Sequence, residues 1–210
     1  MENKVRLIPK SVFLRLRRLT LLDKVGDKEY ILNWGYRDGY VSLGVIDRET
    51  NRSIKDARIA LNTVLLRTVV QYLRKVIDSQ EEISYTIESK SRDFNNKDNN
   101  SLIIKGKLHI GKKKVKDHLI NYIMLENGVK YPFKLLPSKY YVFYKNGEKL
   151  NDYTELSNFF TEAYIKELNK ILDEIPPFTE EDVFEVNLNF NKNDKTDKNN
   201  KTKEEDDDLF

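Results

Sequence analysis

The stretch Asn62-Thr-Val-Leu-Leu-Arg-Thr-Val-Val-Gln-Tyr-Leu-Arg-Lys-Val-Ile77 decides the fold of this chain. Its apolar residues recur three and four positions apart, which predicts an amphipathic helix. Asn62 is a favoured N-cap residue, so the helix is expected to begin directly after it. The preceding residues alternate between apolar and polar side chains, which is the period of a β-strand. The chain therefore changes from strands to a helix at Asn62.

Four strands are predicted before this helix, at residues 12–22, 28–37, 40–47 and 54–61. The first alternates leucine with arginine as a half-buried strand does, although both residue types also favour helices. Residues 23–27 are predicted to form a turn, and Asp38-Gly39 a hairpin turn. In the second strand Trp34 shares a face with Leu32, which assigns the indole to the core.

The second half repeats this order with four or five strands and a helix. The strands are predicted at residues 82–90, 101–110, 118–125, 129–136 and 139–145. Lys112-Lys113-Lys114 forms a cationic turn after the second of them. An amphipathic helix then runs from about Thr154 to Ile175 and ends at Pro176-Pro177. The fold class is therefore α+β, with two antiparallel-sheet-plus-helix (ββββα-like) units at about residues 10–79 and 80–177.

The segment after residue 177 has a different composition. Apolar residues alternate within 178–190, which predicts either a strand docked on the body or the first part of a tail. Residues 191–203 contain only Asn, Lys, Asp and Thr, so 191–210 are expected to be a disordered acidic tail. It ends in five consecutive carboxylates followed by Leu209 and Phe210, which are predicted to be available to a partner.

Charge is distributed unevenly between the body and the tail. Residues 176–210 hold eleven acidic and five basic residues, a net charge of −6. Since the whole chain carries +3, residues 1–175 carry +9. A basic body favours a polyanionic partner, although charge alone fits a merely solubilising surface equally well.

The sequence lacks residues and motifs that several functional classes require. The chain has no cysteine, which excludes disulfides, thiolate nucleophiles and cysteine-bound metals. There is no phosphate-binding glycine-rich loop, and His109 and His118 have no partners at metal-ligand spacing. We therefore predict no enzyme activity, no metal and no cofactor. The absence of an apolar span or signal peptide indicates a cytoplasmic protein that does not associate with membranes.

Basic residues interleave with aromatic residues on the predicted strands, as binding of single-stranded nucleic acid requires. Cations follow the phosphates, and aromatic rings stack on unpaired bases. The predicted DNA-binding residues are Arg15, Arg17, Arg18, Tyr36, Arg37, Tyr40, Arg52, Lys55, Arg58, Lys105, Lys107, Lys112, Lys113, Lys114, Tyr141 and Lys145. The best single cationic stripe is the strand face of Lys105, Lys107 and His109, continued by the lysines that follow. About half of the strand aromatics are expected to lie in the core, because alternate side chains point inward.

The terminal sequence Asp206-Asp207-Asp208-Leu209-Phe210 resembles the acidic, Phe-ended tails of bacterial and bacteriophage single-stranded DNA-binding proteins. The likeness covers residues 204–210 and the polar segment before them. Leu209 stands where the bacterial tails carry proline, which favours the bacteriophage type. The resemblance implies that residues 206–210 bind replication or recombination proteins, with Phe210 as the anchor.

The body has a second resemblance, in the order of its elements. Two strands-then-helix units, with Arg58-Ile59-Ala60-Leu61-Asn62 leading from a strand directly into a helix, resemble the Whirly family and related transcriptional coactivators. That family binds single strands on curved antiparallel sheets. The alternative architecture is an oligonucleotide-binding (OB-fold) barrel with a helical insertion.

The sequence thus predicts a non-enzymatic single-stranded DNA-binding protein of bacteriophage DNA replication or recombination. Its tail would recruit replication proteins and compete with DNA for the body, since a tethered group has a high effective concentration. Helix faces left over after sheet packing favour a homo-oligomer. The alternatives are a nuclease, with carboxylates assembled from distant positions, and a transcription regulator that binds duplex DNA.

Overall fold

The computed structural model describes residues 6–37, 40–92, 102–175 and 183–186 of the 210-residue chain. Its helices are α1 (Lys10–Arg18), α2 (Thr63–Asp78) and α3 (Tyr153–Glu174). The strands before α2 are β1 (Arg6–Pro9), β2 (Leu21–Val25), β3 (Lys28–Arg37), β4 (Tyr40–Asp47) and β5 (Arg52–Leu61). The strands after it are β6 (Ile83–Arg92), β7 (Leu102–Val115), β8 (His118–Asn127), β9 (Val129–Lys134), β10 (Tyr144–Lys145), β11 (Glu148–Lys149) and β12 (Val183–Val186).

Two four-stranded antiparallel sheets form the body. The first sheet has the order β2-β3-β4-β5 and is followed by α2, and the second has the order β6-β7-β8-β9 and is followed by α3. The predicted α+β arrangement of two strands-then-helix units is therefore confirmed. Both sheets are open in the part of the chain that the structure describes, so the barrel alternative is wrong.

Residues 10–18 form a helix, so the strand predicted over 12–22 is wrong for its first part. Val12 and Leu16 are buried four positions apart, while Leu14 between them is 46% exposed. A run that alternates leucine with arginine is compatible with both periods, and packing of α1 on α3 selects the helical one. The strand of this region, β2, begins only after the helix.

The cationic turn predicted at Lys112-Lys113-Lys114 is also wrong. These lysines lie within β7 and pair with β8 up to Val115 opposite His118. They include no glycine or proline to interrupt the strand, and the chain reverses only at Lys116 (φ +56°) and Asp117. The turn at residues 23–27 is also shorter than predicted, because β2 extends to position 25.

Residues 139–143 do not form the predicted strand. Only Tyr144–Lys145 and Glu148–Lys149 pair, as a short hairpin around Asn146-Gly147. Pro137 lies between β9 and this segment and cannot donate a ladder hydrogen bond, which favours departure of the chain from the sheet. Residues 135–143 therefore form a loop that leaves the edge of the second sheet.

The two units share one core, with α2 at its centre. The buried residues of α2 are Leu66, Val69, Val70, Leu73 and Val76. They belong to one hydrophobic cluster with residues of both sheets and of α3, such as Leu43, Leu108 and Leu168. The predicted cap is confirmed, because the Asn62 side-chain oxygen accepts a hydrogen bond from the Leu65 backbone N–H at 2.8 Å.

A buried chain of hydrogen bonds joins the first sheet to α3. The indole Nε1–H of Trp34 donates to the Tyr164 hydroxyl at 2.6 Å, and that hydroxyl donates to the Leu19 carbonyl oxygen at 2.9 Å. Trp34 is 2% exposed, which confirms its predicted place in the core. Burial raises the pKa of Tyr164, so its hydroxyl remains a protonated donor.

A second buried polar network fixes α3 on the second sheet. The Ser157 hydroxyl accepts from the Asn121 backbone N–H at 2.9 Å and donates to the Leu135 carbonyl oxygen at 3.0 Å. One turn further along α3, the Thr161 hydroxyl accepts from the Asn121 side-chain amide at 2.9 Å. A shift of α3 by one turn would leave buried polar groups unpaired, so this network sets the position of the helix.

The sheets meet at two places. At one edge, the Asp23 carboxylate of β2 accepts from the Lys134 backbone N–H of β9 at 2.9 Å, and Tyr30 contacts Tyr131 edge to face. At the other edge, β5 crosses β7. A Cβ atom added to Gly106 there would stand 3.4 Å from the carbonyl oxygen of the β5 residue Arg58.

The N-terminal strand β1 pairs antiparallel with β12. This pairing places residues 183–186, which belong to the segment predicted as a docked strand or early tail, beside residues 6–9. The predicted tail of residues 191–210 lies outside the described residues. No helix within the described ranges is both long and apolar enough to cross a membrane.

We expect Tyr164→Phe to lower the free energy of unfolding by about 1–3 kcal/mol, because it leaves the buried Trp34 Nε1–H and Leu19 carbonyl oxygen without partners. Urea denaturation measures this change. Tyr122→Phe is the matched control, since the Tyr122 hydroxyl donates to Ser84 Oγ at an exposed site. That variant should change stability by less than about 0.5 kcal/mol. Equal denaturation midpoints for the two variants would contradict the bridging role.

Candidate nucleic-acid interface

The outer face of the second sheet carries carboxylates among its cations. Lys107 Nζ and Lys90 Nζ both pair with Glu88, at 3.0 and 3.3 Å. The hydrogen bond from Lys107 lowers the pKa of Glu88, and Glu88 raises the pKa of Lys107 in return. His109 Nε2 lies 3.1 Å from a Glu126 carboxylate oxygen. Within the predicted cationic stripe, Lys107 and His109 are therefore paired with carboxylates on the neighbouring strands.

The same face is also filled at its centre by a ring of the protein itself. Tyr122 covers Gly111, and a Cβ atom at that glycine would stand 2.7 Å from the Tyr122 hydroxyl oxygen. The hydroxyl donates across β7 to Ser84 Oγ of β6 at 3.2 Å. This arrangement leaves no space for a base to lie against the sheet at Gly111.

Lys112 has a structural role at the end of α2. It is 2% exposed, and its Nζ donates to the carbonyl oxygens of Ile77 at 3.0 Å and Ser79 at 2.6 Å. A cation at a helix C-terminus satisfies carbonyls that have no partner within the helix. Burial lowers the pKa of Lys112. We therefore leave Lys112 out of the interface, while Lys113 and Lys114 are exposed on β7.

The arginines of α1 divide in a similar way. Arg15 Nε donates to Glu174 at 2.8 Å and its Nη1 to Glu167 at 3.4 Å, which ties α1 to α3. The hydrogen bond to Glu174 raises the pKa of Arg15. Arg17 and Arg18 are exposed. The guanidinium of Arg17 lies 5.3 Å from the ring centroid of Phe13, one helical turn earlier. Arg15 is thus occupied by structural ion pairs.

The edge strand β5 carries cations that, unlike Arg15, are not paired with any described carboxylate. Arg52, Lys55 and Arg58 are exposed, and no described carboxylate lies within 4 Å of their charged groups. Arg58 Nη2 donates to the Ser42 hydroxyl at 3.0 Å, which holds the guanidinium over the sheet. Lys105 is exposed one residue from the crossing of β7 with Arg58. Free cations of both units therefore gather at the β5 edge of the first sheet.

A shallow trough opens on the outer face of the first sheet beside these cations. Its volume is about 210 Å³, and its polar and small lining residues are Asn33, Gly35, Ser42, Gly44, Ser53, Ala57 and Arg58. The strand β5 bulges here, since its pairing with β4 shifts between Arg58 opposite Gly44 and Ser53 opposite Ile46. Short side chains allow a ligand backbone to approach the sheet closely.

The loop of residues 135–143, which we call the aromatic loop, lies at the other edge of the first sheet. Tyr140 and Tyr141 are 83% and 70% exposed, and Phe143 is 41% exposed. With Leu22 of β2 they line a groove. Sequence reasoning selected Tyr141 alone, although a run of consecutive bulky residues that follows neither the strand nor the helix period is a signal for an exposed loop.

One row of cross-strand neighbours joins the groove to the trough. Leu22 faces Ile31, Ile31 faces Ile46, and Ile46 faces Ser53. The row crosses the four strands of the first sheet, a distance of about 14 Å. Aromatic and apolar surface at the β2 edge is therefore continuous with a cationic trough at the β5 edge.

The remaining predicted residues are dispersed. Tyr36 packs against the core, and burial raises its pKa, whereas Tyr40 is 49% exposed. Lys145 pairs with Glu155 at 3.0 Å. The side chain of Arg37 lies outside the described residues, as do the predicted partner-binding residues Asp206, Asp207, Asp208, Leu209 and Phe210.

No protein-family model matches this sequence, and no curated protein matches it significantly. Across the described ranges, no three histidine or carboxylate side chains are grouped so that they could hold a metal ion. The outer face of the first sheet is the place where the predicted residue types come together.

We expect Lys112→Ala to lower the free energy of unfolding by about 1–3 kcal/mol, because the carbonyl oxygens of Ile77 and Ser79 lose their donor. Lys113→Ala is the control, since it removes the exposed neighbour and should leave stability unchanged within about 0.5 kcal/mol. Urea denaturation compares the two. A Lys112→Ala variant that kept full stability but lost affinity for single strands would show instead that Lys112 contacts DNA.

Proposed function

We propose that this protein is a non-enzymatic single-stranded DNA-binding protein of the bacteriophage type, which acts in DNA replication or recombination in the host cytoplasm. The observation that carries the proposal is the outer face of the first sheet. There, exposed cations that no described carboxylate neutralises lie across the sheet from exposed aromatic rings. Assembly of several copies through helix faces belongs to the same proposal.

The two halves of this face supply the two interactions that single strands need. Lys55 and Arg58 on this face, with Arg52 at the start of the same strand, bind phosphates and release condensed counterions, whatever the sequence. Tyr140 and Tyr141 offer ring faces, and every base has a π-face that can stack on them. Binding of this kind has little sequence preference.

The aromatic rings favour a single strand over a duplex. In a duplex each base is already stacked on its neighbours, so an exposed ring gains a stacking partner only if a base leaves the stack. Cations alone would serve either form of DNA. The combination of Lys55 and Arg58 with Tyr140 and Tyr141 therefore supports single-stranded DNA as the ligand.

The C-terminal segment completes the proposal. The strand β12 is paired with β1, and 24 residues follow it to Phe210. Such a segment spans at most about 80 Å, which is enough for its acidic end to reach the cations of the body. Residues 206–210 would recruit a replication or recombination protein, and the carboxylates would compete with DNA when no such partner is bound.

We expect the association constant for single strands to fall linearly with salt on logarithmic axes, with a slope near −0.7 per phosphate contact. Lys55→Ala should flatten this slope by about 0.7. Lys166→Ala is the matched control, because it removes a lysine that pairs with Glu162 on α3, and it should leave the slope unchanged. Fluorescence anisotropy with oligothymidylate and with a duplex of equal length measures both. Binding that ignores salt, or that is tighter for the duplex, would count against the proposal.

Deletion of residues 204–210 should preserve or strengthen single-strand affinity, because it removes five carboxylates that compete with phosphates. It should abolish capture of a replication or recombination protein in a pull-down. Phe210→Ala keeps those charges and removes the proposed anchor, so it should weaken partner capture alone. Weaker DNA binding after the deletion would refute competition, and unchanged capture by Phe210→Ala would refute the anchor.

A further inference from the structure

The groove at the β2 edge of the first sheet has the size of a ligand site. Its volume is about 910 Å³, within the range of roughly 300–1,000 Å³ that is usual for small-molecule pockets. The apolar residues of its floor are Leu21, Leu22, Leu136, Pro137 and Phe160. Tyr140, Tyr141 and Phe143 of the aromatic loop line it as well. It therefore offers apolar surface and several aromatic rings in one concavity.

The rim of this groove carries a net positive charge. Its four cations are Lys24, Arg48, Lys134 and Lys139, and its two carboxylates are Asp23 and Glu29. Glu29 pairs with both Arg48 and Lys24, and Asp23 pairs with Lys134 at 3.3 Å. Lys139 Nζ lies 5.6 Å from the ring centroid of Tyr140 and has no described carboxylate within 4 Å. A planar apolar group that carries an anion matches this combination of floor and rim.

We propose that this groove holds one unstacked base of a bound single strand, with the adjoining phosphate at the rim beside Lys139. The inference rests on the proposed function and adds to it a defined base pocket at one end of the DNA path. From the pocket, the row of Leu22, Ile31 and Ile46 leads across the sheet to Ser53, which lines the trough together with Arg58. The bound DNA strand thus runs from the aromatic loop at the β2 edge to the cations at the β5 edge.

Two features of the groove favour a base over an apolar protein segment. An apolar side chain gains nothing from the excess of cations over carboxylates on the rim, whereas a nucleotide brings a phosphate to it. The exposed rings of Tyr140 and Tyr141 leave large faces in water, and a flat base covers such a face by stacking. A protein segment in the groove becomes one outcome of the test.

The test compares two strands of equal length and charge, oligothymidylate and an abasic oligomer of deoxyribose phosphate. The wild-type protein should bind oligothymidylate more tightly. Tyr141→Ala should weaken that binding by about 5- to 150-fold and leave binding to the abasic strand unchanged. Tyr144→Ala is the matched control, because Tyr144 is 68% exposed in the same region and does not line the groove. It should leave both affinities unchanged.

A second variant tests the pocket independently, in case Tyr141→Ala acts by disturbing the fold. Leu22→Glu places a carboxylate on the floor of the groove at a position that is 53% exposed, and it should weaken oligothymidylate binding more than abasic binding. Photocrosslinking with a single 5-iodouracil in the strand should label Tyr140, Tyr141 or Phe143, as read by mass spectrometry of the peptides.

Each other result counts against the base pocket. Equal wild-type affinity for the two strands, or an equal loss on both strands in Tyr141→Ala, would overturn it and leave phosphate-driven single-strand binding intact. Wild-type DNA affinity in both Tyr141→Ala and Leu22→Glu would overturn it in favour of a protein segment in the groove. If the wild-type protein bound neither strand, the proposed function would fail together with the pocket.

Discussion

The Tyr164 hydroxyl is the point at which the two halves of the chain depend on each other. One oxygen, carried by α3, accepts from Trp34 of the first sheet and donates to the carbonyl at the end of α1. The same helix is fixed on β8 through Ser157 and Thr161. Because an unpaired buried polar group is costly, both sheets are positioned against one helix. The groove depends on this constraint, since β2 supplies one wall and the loop after β9 supplies the other.

The structure separates cations that look alike in the sequence. Lys112 is committed to the end of α2, and Arg15 and Lys107 are held by carboxylates. Such groups are already paired and gain little by exchanging a carboxylate for a phosphate. Those along β5, among them Lys55 and Arg58, have no described carboxylate partner to exchange. The difference in partners, rather than the number of lysines, is the reason for which we propose the first sheet as the polyanion-binding surface.

Local patterns predicted most of the fold. The helices α2 and α3, the cap at Asn62 and the strands β3 and β4 follow from periodicity and end signals that lie within each element. Periodicity did not predict α1, because alternating leucine and arginine fit both the strand and the helix period. Contact with α3 selects the helix there. For the site, the cations of β5 and Tyr141 could be named from the sequence. The pairing of Lys107 with Glu88 and the walls of the groove could not, because both depend on register and packing between distant segments.

The buried pair of Trp34 and Tyr164 also has a consequence for synthesis of the chain. The two residues are 130 positions apart, so a ribosome working at about 5–20 residues per second makes the second roughly 6–26 s after the first. Once Asp78 has been made, the nascent chain holds the first sheet and α2, but it still lacks β7, β8 and α3. The apolar inner face of the sheet is then incompletely covered and open to other nascent chains or to chaperones. We therefore expect the yield of folded protein to depend on translation speed as well as on final stability.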